Sequence, residues 1–94
     1  MEYFYMYILR CADGSFYVGH TDNLEKRIAE HHDGIGCRYT TQNRPLELVF
    51  SETFSTRDEA FEAERKIKNW SRKKKEALIA KNWAQISKLS KKKF

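Results

Sequence analysis

Tyr7 and Tyr17 lie in two neighbouring apolar segments, and His20 follows the second. Arg27 and His31 stand one helical turn apart, and Glu64 falls in the apolar frame of a later helix. Phosphodiester hydrolysis needs a base that activates water, positive charge on the phosphorus centre and help for the leaving oxygen. These residue types supply each part. The planar fork of Arg27 matches two phosphate oxygens. Tyr7 is the candidate general base, although a phenol with an ordinary pKa of about 10 would need Arg27 or a metal to lower it. His31 could do the same work with less tuning. Tyr17 and His20 would orient water or phosphate. Glu64 is the one carboxylate in a suitable place, which points to a single Mg²⁺ held by Glu64, waters and substrate oxygens. Asp13 and Asp22 are explained as turn and cap. Plainer readings stand beside these: Glu64 could be half of a salt bridge with Arg27 itself, His20 a loop residue, and Tyr3, Tyr5 and Tyr39 packing residues.

The elements that must position this set follow from patterning. Tyr3 to Cys11 reads as a strand with Tyr3, Tyr5, Tyr7 and Leu9 on one face and Phe4, Met6 and Ile8 on the other. Asp13-Gly14 signals a hairpin, and Ser15 to Gly19 is the return strand. Asp22 as N-cap, with Glu25 three residues on, starts a helix that carries Leu24, Arg27, Ile28 and His31 at helical spacing. Burying an unpaired cation is expensive, so Arg27 and His31 are expected to flank that stripe and point into a cleft. Asp33 to Gly36 ends the helix, Cys37 to Arg44 reads as a basic loop, and Leu46 to Phe54 as a third, central strand. Thr56 and Glu59 cap a second helix with the stripe Ala60, Ala63, Ile67 and Trp70, which also holds Glu64. Ser71 opens a helix over residues 72–80. Trp83, Ile86 and Leu89 suggest a last short one, after which Lys91 to Lys93 should fray.

A chain of 94 residues, 40% hydrophobic and 14% aromatic, supports one core and one domain, expected over residues 1–82 with a basic tail at 83–94. No apolar run approaches the roughly 20 residues that span a bilayer, so no membrane is expected and the location is read as cytoplasmic. Cys11 and Cys37 lack zinc-site spacing and are read as free thiols. Residues 1–64 carry 6 Lys+Arg against 12 Asp+Glu, whereas residues 65–94 carry 12 against the single Glu76. That basic arm suggests a polyanion, because cations near phosphates release condensed counterions. His20, Arg38, Arg44, Lys68, Arg72, Lys73, Lys74 and Lys75 are the candidate nucleic-acid contacts.

The set resembles the GIY-YIG nuclease superfamily. Tyr5-Met6-Tyr7 stands where that family has Gly-Ile-Tyr, and Tyr17-Val18-Gly19 is similar to its Tyr-Ile-Gly. Arg27, His31 and Glu64 match its helix arginine, the residue one turn later and its metal-binding glutamate. The resemblance covers Phe4 to Ala80 and looks like the short stand-alone branch. It implies an α/β (α+β) fold with a small three-stranded antiparallel sheet flanked by helices. It also implies Mg²⁺- or Mn²⁺-dependent cleavage of DNA by a one-metal mechanism with a tyrosine as base, structure-specific or repair-related. The region where the family often has an asparagine holds Glu76 and the lysines of residues 73–75. The alternative is a module that grips nucleic acid without cutting it; less favoured is a protein-interaction domain whose basic arm meets an acidic partner. Sequence specificity should be low unless a partner protein supplies it, and a monomer is expected.

Overall fold

The computed structural model describes residues 3–90. Within them the order is β1 (Phe4–Arg10), β2 (Phe16–Thr21), α1 (Leu24–His32), α2 (Arg38–Gln42), β3 (Glu47–Phe54), α3 (Arg57–Lys68), α4 (Arg72–Ile79) and α5 (Trp83–Ser90). The three strands form one antiparallel sheet in the order β2-β1-β3. The central strand is therefore β1, not the third strand as its apolar run suggested. Four consecutive residues of β1, Met6 to Leu9, are buried, as a strand covered on both faces must be. β3 includes the exposed run Ser51, Glu52 and Thr53 and forms an edge. A register shift between Ile8 and Leu9 marks a bulge against β3.

Alternation along β1 sorts the core into two layers, as the sequence pattern required. Met6 and Ile8, with Val18, pack against Ile67 of α3 and Leu78 of α4, and Trp70 and Ile86 close over them. Tyr7 and Leu9 face the other way, with Tyr17, Leu24 and Ile28. The sheet thus has α3, α4 and α5 on one face and α1 on the other. The Lys91 to Lys93 stretch expected to fray lies outside the described residues.

The hairpin turns where Asp13-Gly14 placed it, with Gly14 at φ +87° and the Asp13 carboxylate accepting from Ser15 N and Oγ. Thr56 and Glu59 form the capping box of α3, and Ser71 caps α4. The cap of α1 is one residue later than expected. Asn23 Oδ1 accepts from Lys26 N at 3.1 Å, whereas Asp22 accepts from Arg57 at 3.1 Å. Asn and Asp are equivalent caps, so tertiary pairing of Asp22 with Arg57 settles the register. Asn23→Ala should lower stability by about 1 kcal/mol in urea denaturation, and Asp22→Ala, an exposed pair, by less. Residues 38–42, expected as loop, form α2 behind the N-cap Cys37, whose backbone N–H and thiol both meet Thr40 Oγ1.

Candidate active site

Strand pairing builds the site. Tyr7 and Gly19 are direct partners across β1 and β2, and direct partners in an antiparallel pair share a face. The Tyr7 ring therefore folds over a residue with no side chain. Its oxygen lies where a side chain would begin: a Cβ at Gly19 would sit 2.6 Å from Tyr7 Oη. Two residues along β2, Tyr17 occupies the same face, its ring centroid 6.4 Å from that of Tyr7. The two phenols share one neighbourhood as alternation indicated, and Tyr39 of α2 stacks on Tyr17 from outside.

Helix α1 delivers the polar partners. Tyr7 Oη and His31 Nε2 share a hydrogen bond of 2.8 Å, and His31 Nδ1 meets Thr40 Oγ1 at 2.8 Å. His31 was expected to flank the packed stripe, yet it and Thr40 are both fully buried. Two hydrogen bonds remove most of the cost of burying the imidazole. Burial, aided by the charge of Arg27, lowers the His31 pKa to about 4, so the ring is neutral at pH 7. Arg27 remains half-buried and pairs with Glu30 at 3.1 Å. Burial opposes its charge, but hydrogen bonding to Tyr7 and Glu30 outweighs that and raises its pKa. Burial raises Tyr7 above the ordinary phenol value, with Arg27 pulling the other way. Burial also raises Tyr17, helped by its contact with Cys37. Neither phenol is ionised at neutral pH in the free protein.

Glu64 approaches from the other face of the sheet. Its Oε1 lies 2.5 Å from His20 Nδ1 and its Oε2 3.0 Å from Lys68 Nζ. A salt bridge to Arg27 is thereby ruled out, and His20 is a partner of Glu64 rather than a bare loop residue. Val18 and His20 of β2 face α3, so Glu64 reaches the edge strand on either side of which the two layers meet. Its charge still acts on Tyr7, raising the phenol pKa. Tyr7, Tyr17, Arg27 and His31 are thus brought together, with Glu64 and His20 one layer away.

The basic candidates divide. Lys68 pairs with Glu64 and Arg72 with Glu76, each at 3.0 Å; burial lowers the Lys75 pKa, and the charges of Arg72 and Lys68 lower it further. Arg72 also lies over the Phe16 ring at 4.5 Å and Lys74 over Trp70 at 4.2 Å, while Lys73 is exposed. Arg38 is exposed on α2. Arg44 is exposed but tied down, donating to the carbonyls of Thr41 and His32. Thr40 and Gly36 escaped the sequence reading. A Cβ at Gly36 would overlap His31 Nδ1, so the glycine admits the imidazole. The legible signal was a glycine and a threonine bracketing a cysteine just after a helix with a histidine in its stripe.

A tyrosine on the central strand, a second on the edge strand, a helix arginine and a glutamate from the opposite layer are carried by a three-stranded α+β domain. The chain belongs to the GIY-YIG family: the model of the GIY-YIG catalytic domain matches residues 3–77. Among its relatives are the UPF0213 protein YazA of Bacillus subtilis, 48% identical over 80% of this chain and 76% of YazA. A UPF0213 protein of Staphylococcus saprophyticus is 46% identical over 85% of this chain and 98% of its own length. The solution structure of a UPF0213 protein of Bacillus halodurans superposes with a TM-score of 0.55 at 41% identity, covering 83% of each chain. That of a protein of E. faecalis gives 0.59 at 39% identity over 89% of this chain and 93% of the other. Among the described residues no helix is long and apolar enough to cross a membrane.

Proposed function

We propose that the chain is an endonuclease that hydrolyses phosphodiester bonds of DNA with one divalent cation, Mg²⁺ or Mn²⁺, held at Glu64. The observation that carries this reading is the buried Tyr7–His31 hydrogen bond with the charge of Arg27 beside it and Glu64 within electrostatic reach. Among the described residues no group of three or more His, Cys, Asp and Glu could hold a metal. A single carboxylate nonetheless suits Mg²⁺, which keeps most of its waters. Glu64 also already holds a cation at Oε2, the half-exposed ammonium of Lys68, which can swing away. When bound there, the metal supplies charge for the phosphorus centre and for the leaving oxygen.

The chain's own residues do the rest. Arg27 binds the scissile phosphate through its fork. Tyr7 passes its proton to His31 and takes one from the attacking water, whose oxygen forms the new bond to phosphorus as the bond to the leaving oxygen breaks. The proton exchange offsets the raised pKa of Tyr7, because no free phenolate need accumulate. Tyr17 orients the water or phosphate, and His20 fixes the Glu64 carboxylate. Lys68, Arg72, Lys73, Lys74 and Lys75 carry the backbone away from the site, with Arg38 on the α2 side. The protein acts as a monomer in the cytoplasm on branched or damaged DNA, with a partner protein supplying any sequence preference.

Supercoiled, single-stranded and branched DNA incubated with Mg²⁺ or Mn²⁺ should be nicked by the native protein. Cleavage should fall by about a thousandfold in Glu64→Ala and about a hundredfold in Tyr7→Phe, each losing one element of transition-state stabilisation. Binding by all three proteins with cleavage by none would replace the nuclease with a binding module that keeps the fold.

A further inference from the structure

We propose that Thr40 is a positioning residue of this site: with the carbonyl of Cys37 it holds His31 in the tautomer protonated at Nδ1, leaving the Nε2 lone pair facing the Tyr7 hydroxyl. The role in catalysis rests on the nuclease reading above; the tautomer does not.

Two independent ends of the cluster dictate the same proton order. At the inner end, the buried Tyr7 hydroxyl makes its hydrogen bond with the His31 ring. The Tyr7 proton then has one acceptor among its partners, His31 Nε2 at 2.8 Å. A neutral imidazole that accepts at Nε2 must carry its proton on Nδ1. That proton points at Thr40 Oγ1, 2.8 Å away.

At the outer end, the Thr40 hydroxyl has one proton and two lone pairs. Its oxygen lies 3.1 Å from the carbonyl oxygen of Cys37, which has no proton to give, so the hydroxyl donates there. The lone pairs then accept from His31 Nδ1–H at 2.8 Å and, weakly, from the Cys37 N–H at 3.4 Å, with the Cys37 thiol at the same longer distance. Every member is satisfied, and among the described residues no buried side-chain nitrogen or oxygen lacks a partner. The other tautomer would present Nε2–H to the Tyr7 hydroxyl and leave the phenol proton without an acceptor on a residue that is 1% exposed. Burial and the Arg27 charge keep His31 neutral, so the imidazolium, with a proton on both nitrogens, does not obscure the order at pH 7. The proton path therefore runs from Tyr7 to Nε2, while Nδ1–H, Thr40 and the Cys37 carbonyl hold the ring in place.

The full chain labelled with ¹⁵N-histidine decides the matter at pH 7. His31 should show a protonated Nδ1 and an unprotonated Nε2, and Thr40→Ser should preserve that pattern with near-native cleavage. Thr40→Val should populate the other tautomer and cut DNA about tenfold to a hundredfold more slowly, as lost orienting partners typically do. A native His31 protonated at Nε2 overturns the proposal without any variant, so it stands or falls even if Thr40→Val does not fold. A folded Thr40→Val that keeps the native tautomer and rate overturns it equally. The stated tautomer in a native protein that cuts nothing would overturn the nuclease reading, and the catalytic role with it, while leaving the proton order standing.

Discussion

Gly19→Ala should slow DNA cleavage by about a hundredfold while the protein stays folded. The added Cβ would lie 2.6 Å from Tyr7 Oη, 2.7 Å from Tyr7 Cζ and 3.1 Å from Tyr17 Cε2, all closer than van der Waals contact allows. Tyr7 cannot swing away, since it sits on the central strand with its side chain enclosed between the sheet and α1. The phenol end of the ring must shift, and its hydroxyl moves off His31 Nε2. A displacement of about 1 Å is enough for a hundredfold loss in a site that works by alignment. Overpacking of this kind costs about 1–3 kcal/mol, partly offset by the lower chain entropy of alanine. Initial nicking rates and urea midpoints measured on the same samples separate the two effects. An alanine variant that nicks at the native rate would show that the Tyr7 hydroxyl need not stay where it is.

Stability should fall as pH drops from 6.5 towards 4, by up to about 3 kcal/mol, and most of that fall should vanish in His31→Gln. The sign follows from which state binds protons first. His31 has a pKa of about 4 in the fold against 6.5 for an ordinary histidine. Between those values the unfolded chain takes up a proton that the native protein refuses, so the native state gains stability as pH rises. The contribution is complete above about pH 6.5 and is lost progressively on acidification. A shift of this size corresponds to about 1.4 kcal/mol per pH unit of difference. The other two histidines differ in kind: His20 is half-buried against Glu64, and His32 is exposed. Urea denaturation at half-unit pH steps checks the window. A native protein as stable at pH 4.5 as at pH 7 would mean that the buried imidazole can be charged in place.

Local signals carried much of the molecule because each acts over a few residues. The hairpin at Asp13-Gly14, the capping box at Thr56 and Glu59, the Ser71 cap and the face alternation of β1 depend on backbone sterics and side-chain period, and all stand in the structure. So does the grouping of Tyr7 with Tyr17, which needs only a hairpin and period two. Three features turned on partners far away in sequence. Which strand is central depends on which is covered on both faces, and helices on opposite sides of the sheet decide that. The fate of Glu64 depended on His20, 44 residues earlier, and on Lys68. His31, a polar residue in an apolar stripe, looked too costly to bury, and the sequence alone held no account of what would satisfy it. By itself the sequence determined the three strands, the long helices, the caps of α3 and α4 and the residue types able to do phosphate chemistry, because propensity and periodicity are properties of short segments. Only the tertiary structure decided that the imidazole is buried, neutral and held between Tyr7 and Thr40, because desolvation and hydrogen-bond satisfaction are settled by every element that packs around a group.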